Sequence, residues 1–100
     1  MSTRAKGRRR EVMARDELIE QGFEVQLAPM ASRWQRQTDM FGLWDLVAVR
    51  HDTVRFIQVK SRKIYGKQLL PFLSFKCPLN CSREVWTYKK GESGFTIQYL

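Results

Sequence analysis

Apolar and polar positions along this chain fall into short blocks with two different periods. From Ala5 to Gln21 the apolar residues recur with helical spacing, Ala14, Leu18, Val12 and Ile19 on one side and Asp16, Glu17 and Glu20 on the other, and Gly22 is a natural stop for that helix. Phe23 to Leu27 alternates as a strand and ends at Ala28-Pro29. Two apolar runs follow, Leu43 to Val49 and Val54 to Lys60, rich in β-branched and aromatic residues and separated by the polar break Arg50-His51-Asp52-Thr53, which has hairpin length. They predict neighbouring antiparallel strands. A short helix is expected from Gln68 to Lys76, with Pro71 in its first turn. Glu84 to Lys89 and Phe95 to Leu100 predict a last strand pair joined by the turn Lys90 to Gly94. The sum is a mixed sheet with helices on it, in a single domain spanning 1–100 with a loose tail at 1–4.

Polar residues inside the two central runs change this picture. Asp45 lies within the first run and Gln58-Val59-Lys60 closes the second. Unpaired charges and unbonded amides are costly inside a sheet, so these side chains must find partners. Period-two geometry puts Val54, Phe56, Gln58 and Lys60 on one face. Asp45 offers a carboxylate and Gln58 a carbonyl oxygen, both suited to a hard divalent cation, and Lys60 beside them can hold a water or a phosphate. Glu11 is the acid of the first helix that falls on its apolar side, from which it can lean over the sheet toward Asp45 and Gln58. Its alternative is a surface pair with Arg8 or Arg15. Asp39 is a competing acid, read as a loop residue, and the substitute should Asp45 point elsewhere.

Composition adds a polyanion. The 100 residues carry a formal charge of +8, with 43% hydrophobic and 12% aromatic residues, enough for a modest core. Arg50, Arg55, Lys60, Arg62, Lys63 and Lys67 stand against Asp52 alone between positions 50 and 67, and Arg4, Lys6, Arg8, Arg9 and Arg10 form a second cluster beside Glu11. Both flank the proposed site, as a basic rim would around an acidic pocket that cuts nucleic acid. The apolar runs are far shorter than a membrane span, and a soluble, intracellular, cytoplasmic protein is expected. Residues 30 to 41 form a polar connection in which Arg33, Trp34 and Arg36 suit a nucleic-acid contact, whereas Trp44 and Trp86 lie in strand patterns and read as core. His51 reads as a turn residue. Cys77 and Cys81, a lone C-x3-C without a second pair, read as two reduced thiols, with a disulfide as the alternative.

Taken together, Lys6-Gly7, Glu11, Gly22-Phe23-Glu24-Val25, Ala28-Pro29, Asp45 and Gln58-Val59-Lys60-Ser61-Arg62 resemble the PD-(D/E)XK nucleases, and within them the archaeal-type Holliday junction resolvases, over roughly residues 5 to 63. The pattern departs from the family at Gln58, where Glu is usual, and at Trp44, where Pro precedes the Asp. The resemblance implies a restriction-endonuclease-like α/β (α+β) fold with a mixed central sheet flanked by helices, and a Mg²⁺- or Mn²⁺-dependent endonuclease acting on DNA in recombination or repair. It implies that Glu11, Asp45, Gln58 and the Val59 carbonyl hold the metal, that Lys60 serves the attacking water and the phosphate, and that Ser32 matches a functional loop serine. Arg8, Arg9, Arg10, Ser32, Arg33, Trp34, Arg36, Arg62, Lys63 and Lys67 would contact the nucleic acid. A two-fold dimer is implied as well, for which the stretch Leu69 to Phe75 is a candidate interface and core packing an equal explanation. The alternative function is a nucleic-acid-binding module that keeps the fold and has lost efficient catalysis through Gln58. A small ribosome-associated basic protein is a third reading that leaves Asp45, Gln58 and Lys60 unexplained.

Overall fold

In the computed structural model, residues 3–29, 39–88 and 94–100 are described. They form a mixed α+β architecture: helix α1 (Thr3–Glu20), strands β1 (Glu24–Leu27), β2 (Leu46–Arg50) and β3 (Thr53–Lys60), a 3-10 turn Gly66–Leu69 leading into the short helix α2 (Leu70–Leu73), and strands β4 (Cys81–Tyr88) and β5 (Phe95–Tyr99). The sheet runs β1-β2-β3-β4-β5 in spatial order. Each neighbouring pair is antiparallel except β3 and β4, which run parallel from Val54↔Cys81 to Lys60↔Thr87. A parallel pair needs a crossover, and residues 61–80 supply it.

Helix α1 ends where the glycine allows. Gly22 takes φ 93°; its N–H returns to Ile19 O at 2.9 Å and that of Phe23 to Leu18 O at 3.0 Å. This double closure satisfies the last helical carbonyls, and Phe23 and Leu18 join one core cluster, the apolar contact that accompanies such a stop. Ala14 and Leu18 are buried against Leu46, Ala48, Ile57 and Trp86 on one face of the sheet. Ile19, expected on that side, is instead half exposed.

The crossover covers the opposite face. Ile64 and Phe72 are buried there with Trp44 and Val85, and Leu69, Phe75 and Phe56 pack around them. Trp44 and Trp86 are both fully buried, one on each face, as their strand patterns predict. Pro71 sits in the first turn of α2, but the helix stops at Leu73 rather than Lys76. Arg83 explains the early end: its guanidinium donates to Leu73 O at 2.6 Å and Phe75 O at 3.3 Å, while the Phe75 ring turns in to meet Phe56 at 4.9 Å between centroids. The Leu69 to Phe75 stretch is thus divided, with Phe72 in the core and Leu70 and Leu73 exposed.

Two further expectations are corrected. Cys77 and Cys81 are joined as a disulfide, their Cα atoms 5.6 Å apart, because the turn closed by Cys81 N–H on Pro78 O at 3.0 Å brings them within bonding reach. Strand β4 also starts at Cys81, three residues before Glu84, since its parallel pairing with β3 begins there. Among the described residues no helix is long and apolar enough to cross a membrane.

Candidate active site

The first central run does not enter the sheet where its apolar residues begin. Phe41 and Gly42 take positive φ, 56° and 70°, and Met40 bridges back to Trp44, so a tight turn occupies the start of the run and β2 begins only at Leu46. Asp45 is left at the junction. Its N–H donates to Ile57 O at 2.9 Å and its C=O accepts from Ala28 N–H at 2.8 Å. The last β2–β3 partners are Leu46↔Ile57, so the Val59 amide has lost its ladder carbonyl, and the Asp45 carboxylate takes its place, Oδ2 accepting from Val59 N–H at 2.9 Å. Because strand amides point along the sheet, that carboxylate is held edge-on at the end of β2.

Asp45 is only 6% exposed. Burial pushes its carboxyl up to about 7 against the pull of the Val59 amide, and the nearby charges of Glu11 and Asp39, together with a hydrogen bond that the protonated carboxyl makes to Asp39, push in the same direction. Glu11 is raised as well, first by burial and also by Asp39, while Arg8 opposes the shift from 3.5 Å. Three acids therefore crowd this end of the sheet. Glu11 acts on Asp45 through its charge and keeps its helix-surface contact with Arg8, but it was expected to reach Gln58 as well, and Gln58 belongs to the other face of the sheet. Asp39, read from sequence as a loop residue, joins them; the clue was its place six residues before Asp45 ahead of Gly42. Among the described residues no three His, Cys, Asp or Glu side chains form a ready metal cage.

Gln58 and Lys60 follow the expected alternation. Phe56 packs in the crossover-side cluster and Ile57 and Val59 in the α1-side cluster, so Gln58 and Lys60 belong to the crossover face, and Glu11 approaches from the helix on the other face. Gln58 is buried, and its Oε1 has no hydrogen-bond partner among the described residues. A buried amide oxygen left unpaired is expensive, and an oxygen ligand to a cation is one way of relieving it. The donor set of Asp45, Gln58 Oε1 and the Val59 carbonyl is all hard oxygen and fits a divalent ion of the Mg²⁺ or Mn²⁺ kind. Lys60, the last residue of β3, is half-buried and makes no salt bridge to a described acid.

The same face carries polar residues that the sequence reading passed over. Gln98 is aligned with Val85, which is aligned with Gln58, and Thr87 is aligned with Lys60. Thr87 Oγ1 and Gln98 Oε1 are buried without a partner among the described residues, as is Trp44 Nε1. The alternation of β4 and β5 held the signal, since Thr87 and Gln98 fall on one side of strands whose other side is Trp86, Phe95 and Ile97.

The basic rim is thinner than composition implies. Arg55 is committed to Glu84 through two bonds of 2.8 and 2.7 Å, and Glu84, fully buried, also accepts from Ser82 and from Trp86 Nε1 at 2.9 Å. Arg50 caps the first helix, donating to Gln21 O at 2.7 Å over the Phe23 ring. Arg8 donates to Ala28 O at 2.7 Å, and Arg10 lies over the Tyr88 ring at 5.0 Å. Arg9, Arg62, Lys63 and Lys67 remain exposed. Ser32, Arg33, Trp34 and Arg36 lie outside the described residues. Compared with known proteins, the chain matches no family model, no curated protein and no solved structure.

Proposed function

We propose that this protein is a metal-dependent endonuclease that hydrolyses DNA phosphodiesters, as its resemblance to the PD-(D/E)XK nucleases implies. The observation that carries the reading is the buried oxygen of Gln58 with no partner among the described residues, two residues before Lys60, which pairs with no described acid, on the strand whose amide anchors the Asp45 carboxylate. Asp45, Gln58 and the Val59 carbonyl would hold the cation, and the charges of Glu11 and Asp39, which already act on Asp45, would add to its neutralisation. A divalent ion bound there acidifies a water and offsets charge on the phosphate. A cation held there would favour the ionised form of Asp45, its positive charge offsetting the burial that raises the carboxyl. Lys60 supplies a fixed ammonium that orients the attacking water and shields the developing negative charge. The exposed cations after β3 grip the flanking phosphates.

One observation favours a second reading, a binding module with little turnover. Gln58 brings no charge, and the described acids do not form a cage by themselves. Gel assays with supercoiled, single-stranded and four-way junction DNA in Mg²⁺ or Mn²⁺ separate the two. The nuclease reading expects cleavage that EDTA and Asp45→Ala abolish, and a gain in activity and metal affinity in Gln58→Glu. Binding without cleavage in both wild type and Gln58→Glu would leave the module.

A further inference from the structure

The crossover leaving the candidate site is built for more than a duplex backbone. From Thr53 to Arg83 the chain has no acidic residue. Arg55 and Arg83 are consumed internally, which leaves Arg62, Lys63, Lys67 and Lys76 on the surface after Lys60, the first three within seven residues of it. Among them stands Tyr65, 65% exposed. Its backbone is fixed: the Tyr65 N–H donates to Gln68 Oε1 at 3.4 Å and Gln68 N–H returns to Tyr65 O at 3.2 Å. The preceding residue, Ile64, is anchored in the core, and its carbonyl accepts from Gln98 Nε2 at 3.2 Å. Lys63 Nζ lies 6.0 Å from the Tyr65 ring centroid. A rigidly based aromatic ring turned to solvent, with Lys63 beside it and Arg62 and Lys67 within three residues along the chain, has no use in the core. It matches the way proteins hold single strands, with a ring that stacks a base and ammonium groups that follow its phosphates.

We infer that Tyr65 is a stacking platform for an unpaired base, with Arg62, Lys63 and Lys67 holding the adjoining phosphates, so that the substrate carries a single-stranded segment next to the site that ends at Lys60. The inference rests on the nuclease reading for its biological sense but is tested without catalysis. A duplex offers no free base face, whereas a gap, a flap or a single-stranded end does. Charge complementarity selects a polyanion over an uncharged partner, and a flat ring among Arg62, Lys63 and Lys67 suits a base and its phosphates.

Binding of a labelled short oligothymidylate in EDTA provides the test, read by fluorescence anisotropy against a duplex of equal length. Tyr65→Phe should bind like wild type. Tyr65→Leu, which keeps apolar bulk but loses the flat ring, should bind the single strand roughly ten-fold more weakly and the duplex unchanged. Equal binding of the single strand by Tyr65→Leu and wild type would overturn the platform, whether or not DNA cleavage is observed. So would binding to vesicles of phosphatidylcholine and phosphatidylserine in preference to the oligonucleotide. Loss of cleavage with this binding pattern intact would remove the nuclease reading and leave the platform standing.

Discussion

Two buried acids in this protein have opposite relations to their surroundings, and pH separates them. Glu84 suffers burial but is held below the usual carboxylate range by Arg55, Ser82 and Trp86. Asp45 is buried with one amide for company and two acids beside it, and its carboxyl rises from 3.8 to about 7. The fold therefore prefers protonated Asp45. That preference is fully present below about pH 4 and is lost as pH rises through about 7, so without metal the ionised carboxylate costs the fold a few kcal/mol. Asp45→Asn keeps an oxygen for the Val59 N–H and carries no charge. In EDTA it should melt several degrees above wild type at pH 8, with the gap closing toward pH 4, by thermal unfolding scans across that range. An Asn variant less stable than wild type at pH 8 would mean that the carboxylate is a structural anchor rather than a residue kept at the expense of stability.

Between elements, the least legible feature is the tie across the parallel pair. Arg55 looked like one more cation in a basic stretch and Glu84 like the first polar residue of a strand, because nothing local marks two residues 29 apart as partners. They meet because β3 and β4 align Arg55 with Ser82 and Ile57 with Glu84. Breaking such a buried pair on one side is expected to cost about 3–5 kcal/mol. Glu84→Gln should lower the urea midpoint accordingly, and the double variant Glu84→Leu with Arg55→Met should recover much of the loss, since no charge is then stranded. Local signals were otherwise reliable where chemistry is local: Gly22 ended α1, the four-residue polar break made the β2–β3 hairpin with His51 at φ 54°, and alternation assigned Gln58 and Lys60 to one face. They failed where a distant group decides. Arg83 from β4 cut α2 short, and the backward bridge from Met40 took Leu43 and Trp44 out of β2 and turned the chain so that Asp39 acts on Asp45. Glu11 and Asp45 were legible as candidates, but Thr87 and Gln98 became visible only once the sheet order aligned them with Lys60 and Gln58.

At the scale of the whole molecule, net charge overstates what is free to act. Of the cations between Thr53 and Arg83, two are spent on Glu84 and on the end of α2, and Lys60, Arg62, Lys63, Lys67 and Lys76 are left without a described acidic partner. Four of them lie on the crossover and Lys60 ends the strand that feeds it, so this stretch offers cations to a polyanion over the length of a Debye screen. Each phosphate neutralised on a single strand releases counterions and adds about −0.7 to the slope of log K against log salt. Titration of oligothymidylate between about 50 and 200 mM salt should then give a slope of about −2 for the phosphates held by Arg62, Lys63 and Lys67, and Lys63→Ala with Lys67→Ala should flatten it by about 1.4. The same pair of replacements should leave thermal stability within about 0.5 kcal/mol, since both side chains are exposed and bonded to no acid. A slope near zero in wild type would mean that these cations are spread too widely to follow one strand, and the +8 charge would then be a solubility feature without a polyanionic partner.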